Sequence, residues 1–229
     1  MIELIKWGGS RLNKLDDLNN LVEIINMYVK DNKKVICVLS AFKNYTDVLI
    51  NKYKKDKYVI LGELISVSLL KINLEIKNLK TIILNAKDIP IECNDITSNA
   101  DITYLNINTI LKALQEYDVV LIPGFQGIYN NEYYTLGRDG SDYTAIYIGK
   151  KLKESNQIFN CHLYKDVDGI FINNKKQDIL LINDLKNLNI KVLSSKAIRE
   201  LIDIPYDLTI GLSKEKSTKI TDFISWKKQ

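Results

Sequence analysis

A few short segments gather the residues of this chain that could handle charge. Lys6-Trp7-Gly8-Gly9-Ser10 joins an ammonium group to paired glycines. Such glycines let a backbone approach phosphate oxygens closely, and Lys6 could reach the same oxygens as a point charge. The segment is neither a Walker loop nor G-x-G-x-x-G, and a tight strand-to-helix turn would account for it equally well. Thr135-Leu136-Gly137-Arg138-Asp139-Gly140-Ser141-Asp142 follows the apolar run Val119 to Ile122 and the loop Pro123-Gly124-Phe125-Gln126-Gly127. It opens a helical pattern running to about Lys153. The order strand, glycine loop, helix N-terminus sets backbone N–H groups, a guanidinium and a carboxylate around an anion-sized space.

Within that loop Arg138 matches a carboxylate in two-point geometry. Ser141 and Asp142 belong in the first turn of the next helix, and Asp139 or Ser141 is a candidate cap. Asp142, set between two lysines, would hold both toward a phosphate. Lys191 is the second lysine assigned there, although nothing local to it requires this. Glu63 follows Gly62 in an apolar helical run, and a carboxylate there needs a partner. The ammonium of an amino acid would serve, as would a lysine or arginine of the chain. Ser40 and Thr46-Asp47 follow an apolar strand, where capping is their ordinary use. Asp166-Val167-Asp168-Gly169 resembles the start of a calcium loop but lacks its later ligands, so a strand-end turn explains it. His162, the sole histidine, falls on an expected strand and reads as a packed or edge residue rather than a catalyst.

The elements that must position these groups alternate. Strands are expected at Ile2 to Ile5, Val35 to Leu39, Thr81 to Leu84, Val119 to Ile122, Ile158 to Tyr164 and Leu208 to Ile210. Helical spacing links Leu15 to Tyr28, most of Tyr58 to Asn73, Leu105 to Leu114, Ile182 to Leu188, and Leu193 to Ile202. Alternation of this kind argues for a mainly parallel sheet covered on both faces, with ligands at the carboxyl ends of the strands.

Bulk properties agree. The 229 residues show no composition break and are 46% hydrophobic, enough for one α/β domain with a full core. Net charge is +4, from 32 basic and 28 acidic residues, and the lysines are scattered. No nucleic-acid partner is expected from that balance. Glu3 and Lys6 interrupt the first apolar run, so it is not a secretory signal, and no stretch reaches the roughly 18 apolar residues of a membrane span. Cys37, Cys93 and Cys161 are far apart, which suggests neither disulfides nor zinc and favours the cytoplasm.

Taken together the segments resemble the aspartate kinases of the amino acid kinase superfamily. Lys6 to Ser10 is similar to K-F-G-G-T. Val38-Leu39-Ser40-Ala41 with Thr46-Asp47 is similar to V-V-S-A…T-[DN], and Gly62-Glu63 with Ser66 to G-E-x-x-S. Gly124 to Gly127 and Thr135 to Asp142 are similar to G-F-x-G…T-L-G-R-G-G-S-D. Asp166 to Phe171 is similar to the last part of T-D-V-D-G-[IV]-[YF], and Ile190-Lys191-Val192-Leu193 to A-K-V-L-H-P. These matches keep family order over nearly the whole chain. The arginine loop separates this branch from acetylglutamate, uridylate and carbamate kinases.

The resemblance implies an α/β fold, a three-layer αβα sandwich with a mainly parallel central sheet. It implies one domain over 1–229, with an acceptor lobe over about 1–145 and a nucleotide lobe over about 146–229. The implied activity is ATP-dependent phosphorylation of the β-carboxylate of L-aspartate to 4-phospho-L-aspartate, toward lysine, diaminopimelate, threonine and methionine. Lys6, Asp142 and Lys191 would be catalytic. Lys6, Gly8, Gly9 and Lys191 would face the phosphates of ATP, Asp166 and Phe171 would lie near the base, and Ser10 would also bind ATP. Ser40, Thr46, Glu63, Phe125, Arg138 and Ser141 would bind aspartate. Mg²⁺ would arrive with ATP, without a protein ligand set of its own. A homodimer follows by resemblance alone, and no membrane partner does.

Several positions depart from the family pattern. Asp139 replaces the second glycine of G-R-G-G, and Lys165 replaces the threonine before Asp166. Asn173-Asn174-Lys175 stands where T-x-D-P-R is usual, and Ser194-Ser195 where H-P is. Family members continue into ACT domains, whereas this chain stops soon after Ser217-Thr218-Lys219-Ile220, so a stand-alone, feedback-insensitive kinase is expected. Two other readings remain open. One is a kinase acting on a different small acidic acceptor, which Asp139 invites. The other is a catalytically silent binding or regulatory homologue, favoured by the altered nucleotide-side segment and opposed by Lys6, Asp142 and Lys191.

Overall fold

Runs such as Val35-Ile36-Cys37-Val38-Leu39 are apolar on both alternating faces, so strands built from them must be covered on both sides. The computed structural model describes residues 1–53, 55–188 and 192–222. Its main sheet has eight strands. From one edge they are β12 (Ile179–Leu181), β14 (Ser217–Thr221), β13 (Leu208–Gly211), β9 (Phe159–Tyr164), β1 (Ile2–Trp7), β2 (Lys34–Leu39), β6 (Val119–Pro123) and β3 (Thr81–Ile83). Every neighbouring pair is parallel except β13 with β14.

Alternate residues of the strands enter two separate cores. Ile5, Trp7, Val35, Cys37 and Leu39 pack with α1 (Leu18–Lys30) and α4 (Leu61–Ile76). Leu4, Ile36, Val38 and Leu163 pack on the other face with α5 (Ile107–Glu116), α6 (Gly140–Glu154) and α7 (Ser195–Asp203). The result is the expected three-layer αβα sandwich. Two shorter helices, α2 (Tyr45–Tyr53) and α3 (Asp56–Val59), lie between β2 and α4 in the chain. Among the described residues no helix is long and apolar enough to cross a membrane.

The sequence reading misses a second sheet. Its order is β5 (Ile102–Leu105), β4 (Ile91–Cys93), β7 (Gln126–Tyr129) and β8 (Glu132–Thr135). Strands of three or four residues are too short for a period of two to register. Leu105 therefore ends a strand, and the helix expected from it starts at Ile107, where the Asn106 side chain accepts from the Asn108 N–H at 3.2 Å. The loop expected at Gln126-Gly127 is the start of a hairpin that turns at Asn130 and Asn131, with φ of 47° and 65°. Paired left-handed residues match the twist of a two-residue hairpin, and asparagine tolerates them. Asn173 and Asn174, φ 50° and 62°, turn the hairpin of β10 (Ile170–Ile172) and β11 (Lys175–Gln177) in the same way. The helix expected over Ile182 to Leu188 is a 3-10 stretch, Ile182–Lys186, and the one expected from Leu193 begins at Ser195, capped by Ser194.

Toward the amino end of β1, Glu3 is fully buried between neighbouring strands. Its Oε1 accepts from Lys33 Nζ at 2.9 Å and from Asn160 Nδ2 at 2.8 Å. His162 Nε2 lies 3.3 Å from Oε2, and His162 Nδ1 is 2.6 Å from Thr209 Oγ1. The histidine thus belongs to a structural cluster remote from the glycine loops. Burial pushes the Glu3 carboxyl up, but His162, Lys33 and Asn160 outweigh it and hold the pKa at about 2. A depressed carboxylate stabilises the fold above its unfolded pKa and loses that contribution as pH falls toward the folded value. Glu3→Gln should therefore destabilise the chain by roughly 3 kcal/mol at pH 7, with the difference shrinking between about pH 4.5 and 2. Denaturant unfolding of both proteins across that range checks it.

Candidate active site

Lys6 pairs in register with Leu163 of β9. Lys165 lies two residues beyond Leu163, so by the pleat it emerges on the same face as Lys6. That is the face α6 covers. Both side chains accordingly reach Asp142, in the first turn of α6 and wholly buried. Lys6 Nζ lies 2.7 Å from Oδ1 and Lys165 Nζ 2.5 Å from Oδ2. Burial pushes the Asp142 carboxyl up, but the charges of Lys6 and Lys165 prevail and keep it below the usual carboxylate range. Asp142 therefore sits ionised between two cations. The lysine expected as the second of them, Lys191, lies outside the described residues; the position beside Oδ2 belongs to Lys165.

Lys6 and Lys165 open onto a cavity of about 880 Å³. Gly8, Gly9, Ser10 and Asp166 line it. A Cβ added at Gly8 would sit 3.4 Å from Lys6 Nζ, and one at Gly9 would meet the Ala41 carbonyl oxygen at 2.5 Å. Gly9 thus lets two loops touch, while Gly8 keeps the flank of the Lys6 ammonium open. The Gly8 N–H is already bonded to the Tyr164 carbonyl at 3.1 Å, so it is not among the loop's free donors. The room beside one buried and one part-buried ammonium group fits a polyphosphate tail. Phe171 is 54% exposed on β10 and does not line the cavity, unlike Asp166. Among the described residues no group of three or more His, Cys, Asp or Glu could hold a metal ion.

The residues expected to bind an acceptor share the cavity wall: Ser40, Thr46, Glu63, Phe125, Arg138 and Ser141. Glu63 is 3% exposed. Its Oε1 accepts weakly from Ala41 N–H and Thr46 Oγ1, each at 3.4 Å, and its Oε2 has no hydrogen-bond partner among the described residues. Burial raises the Glu63 pKa to about 7 despite those bonds and the charge of Lys6. A buried carboxylate with one oxygen free invites a cation. Arg138 is exposed and forms no ion pair among the described residues, which leaves its guanidinium fork available. Phe125 has φ of 70°, a left-handed conformation that costs a bulky residue about 1–3 kcal/mol. It is held there from both sides: its N–H donates to Thr144 Oγ1 at 3.2 Å and its carbonyl accepts from Leu136 N–H at 3.0 Å. Asp139, φ 56°, is the residue before α6 but makes no side-chain cap bond.

Asp56 escaped the sequence reading. It accepts from Ser98 N–H at 2.9 Å, Ser98 Oγ at 3.0 Å, Thr135 N–H at 2.8 Å and Thr135 Oγ1 at 3.2 Å. These bonds fasten α3 to the start of the arginine loop. In sequence Asp56 stands in Lys54-Lys55-Asp56-Lys57 and reads as part of a solvated charge run. Only the distant residues 98 and 135 reveal its task.

This geometry, two lysines on a buried aspartate at the carboxyl edge of a mainly parallel sheet, is suited to managing phosphate charge. A family model for the amino acid kinase family matches residues 1–202, and the chain belongs to that family. Within it, the chain is 31% identical over 229 residues to an aspartokinase of Rickettsia prowazekii, covering 90% of this chain and 50% of the relative. It is 26% identical over 245 residues to an aspartokinase of Geobacillus stearothermophilus, covering 96% and 59% respectively. The chain spans about half the length of these curated relatives. Among solved structures, an aspartate kinase from Synechocystis superposes with a TM-score of 0.80 at 24% identity, over 100% of this chain and 41% of that one. E. coli aspartokinase III in complex with aspartate and ADP also gives 0.80, at 19% identity over 99% and 66%. A UMP kinase from Ureaplasma parvum gives 0.68 at 17% identity over 96% and 99%. These superpositions establish a shared fold.

The half-satisfied Glu63 carboxyl supplies a test of its own. A carboxyl whose folded pKa lies above its unfolded value loses stability as pH rises from the unfolded toward the folded pKa. Glu63→Gln should thus stabilise the ligand-free chain by about 3 kcal/mol at pH 8 and leave it nearly unchanged at pH 4. Thermal unfolding at the two pH values measures the difference.

Proposed function

We propose that the chain transfers the γ-phosphoryl group of ATP to the β-carboxylate of L-aspartate, giving 4-phospho-L-aspartate and ADP. The observation that carries this reading is the single cavity shared by Lys6 and Lys165 of the Asp142 cluster, the half-satisfied Glu63, and Arg138, which forms no ion pair among the described residues. An aspartate molecule offers an ammonium for Glu63 and a carboxylate for Arg138, leaving its second carboxylate to react. That carboxylate is ionised at neutral pH and needs no general base, which suits a site whose lining holds no histidine. A β-carboxylate oxygen attacks the γ-phosphorus, forming an O–P bond. The bond from that phosphorus to the β,γ-bridging oxygen breaks, and ADP leaves with the electron pair.

Catalysis in such a transfer is chiefly positioning and neutralisation of charge spread over the moving group. Lys6 and Lys165 supply fixed positive charge, and Asp142 keeps them oriented. Gly8, Gly9, Ser10 and Asp166 form the wall available to the nucleotide. Mg²⁺ brought with ATP would add charge neutralisation on the phosphates. The three cysteines are free and buried, which supports a reducing compartment such as the cytoplasm. Insensitivity of this 229-residue chain to lysine and threonine belongs to the same proposal, and adding either should leave its rate unchanged.

Asp139 favours one alternative. Its carboxylate lines the cavity beside Arg138 and offsets part of that residue's charge, which could select another small acidic acceptor. An assay trapping the acyl phosphate with hydroxylamine decides between them. Product with ATP and L-aspartate is the expected result; product only with other acids would reject aspartate. In the same assay Arg138→Ala should raise the acceptor KM by about 10–100-fold with a smaller change in kcat. An unchanged acceptor dependence would remove Arg138 from the site.

A further inference from the structure

We propose that Lys165 is a catalytic residue of this chain, a second cation that touches the transferred phosphoryl group alongside Lys6. The inference rests on the reading of the cavity as a phosphoryl-transfer site and adds to it a residue that the family pattern does not assign. That pattern has an uncharged threonine before Asp166, where this chain has Lys165.

The first support is electrostatic. Lys6, Asp142 and Lys165 have side-chain exposures of 7%, 0% and 13%. Two ammonium groups on one carboxylate leave a net positive charge almost out of water, a costly arrangement unless an anion completes it. The cavity they line is where that anion would sit. The second support is donor capacity. An ammonium has three N–H donors. Lys165 directs one to Asp142 and one to the Val192 carbonyl, which leaves a third. The third support is rigidity. The Lys165 N–H donates to the Gly211 carbonyl at 3.0 Å, and its own carbonyl accepts from Arg11 Nη1 at 3.3 Å. Arg11 is itself pinned, by the Leu212 carbonyl at 2.5 Å and by stacking 4.1 Å over the Trp7 ring. A cation fixed at both backbone and head is preorganised for charge that develops during transfer.

The rival is a purely structural lysine that only neutralises Asp142. The full 229-residue chain is compared with Lys165→Met, which removes the charge, and Lys165→Gln, which keeps a donor toward Asp142 and serves if the first does not fold. Lys165→Arg tests rescue. Circular dichroism and thermal unfolding confirm folding, and calorimetric titration then measures Mg-ATP and AMP. Loss of Lys165 should weaken ATP by at least about tenfold and AMP by less than about twofold, with arginine recovering most of the loss. Turnover with ATP and L-aspartate should fall about 100-fold while the acceptor KM stays within about threefold. A structural lysine would weaken both nucleotides together or neither, and either pattern overturns the proposal. So does a charge-free variant whose turnover and ATP affinity stay within about threefold of the parent. A parent chain that binds ATP but turns over no aspartate rejects the acceptor assignment alone, and the titrations still judge Lys165. A parent chain that binds no ATP rejects both.

Discussion

A fully buried carboxylate stands at the centre of this molecule, and the surrounding structure is arranged to keep it charged. Asp142 has no water to solvate it, so its ionisation depends on Lys6 and Lys165, one at each oxygen. Lys6 comes from β1, Lys165 from just past the end of the neighbouring β9, and the aspartate from the helix laid across them. Sheet register, helix placement and charge state are therefore one constraint. Shift any of them and a buried ion loses its counter-ion, a loss of several kcal/mol.

Glu3 and Glu63 show how the same side chain is used in opposite ways. Both are almost wholly buried. Glu3 is surrounded by Lys33, Asn160 and His162, and its pKa falls to about 2; it contributes stability and is not among the residues lining the cavity beside Lys6. Glu63 has two long contacts and one free oxygen, and its pKa rises to about 7. A carboxylate left short of partners is a poor structural element and a good receptor. Strain at Phe125, held by Thr144 and Leu136 on the wall of the same cavity, fits that pattern of local cost at a working site.

Much of the fold was legible in the sequence because its long elements are strongly patterned. The apolar runs at Val35 to Leu39 and Val119 to Ile122, and the helical spacing from Leu15 to Tyr28, dominate their neighbourhoods, although the α-helix itself starts only at Leu18. The second sheet was not legible, since strands such as Ile91–Cys93 are fixed by partners distant in the chain rather than by period. The Asn130-Asn131 turn was a local signal that could have exposed one of its hairpins. Of the candidate site, Lys6, Glu63 and Arg138 stood out because charge beside glycine in an apolar setting is conspicuous. Asp56 was hidden in a lysine-rich run, and its bonds reach residues about 40 and 80 positions away, where no local pattern can point. Lys165 was visible as a departure, yet only the pleat and the register of β9 against β1 give it a direction.

The two-residue repeat of a strand carries a consequence for how such sites can change over time. Along β9 and the residues just after it, positions alternate between the layer holding Asp142 and the layer holding Trp7 and Tyr164. A lysine can replace a lost cation only at every second position of that edge. Inheritance of charge among related chains is thus digital rather than gradual. One codon at the right parity restores the ion cluster, whereas the same codon one place along buries an ammonium against aromatic rings.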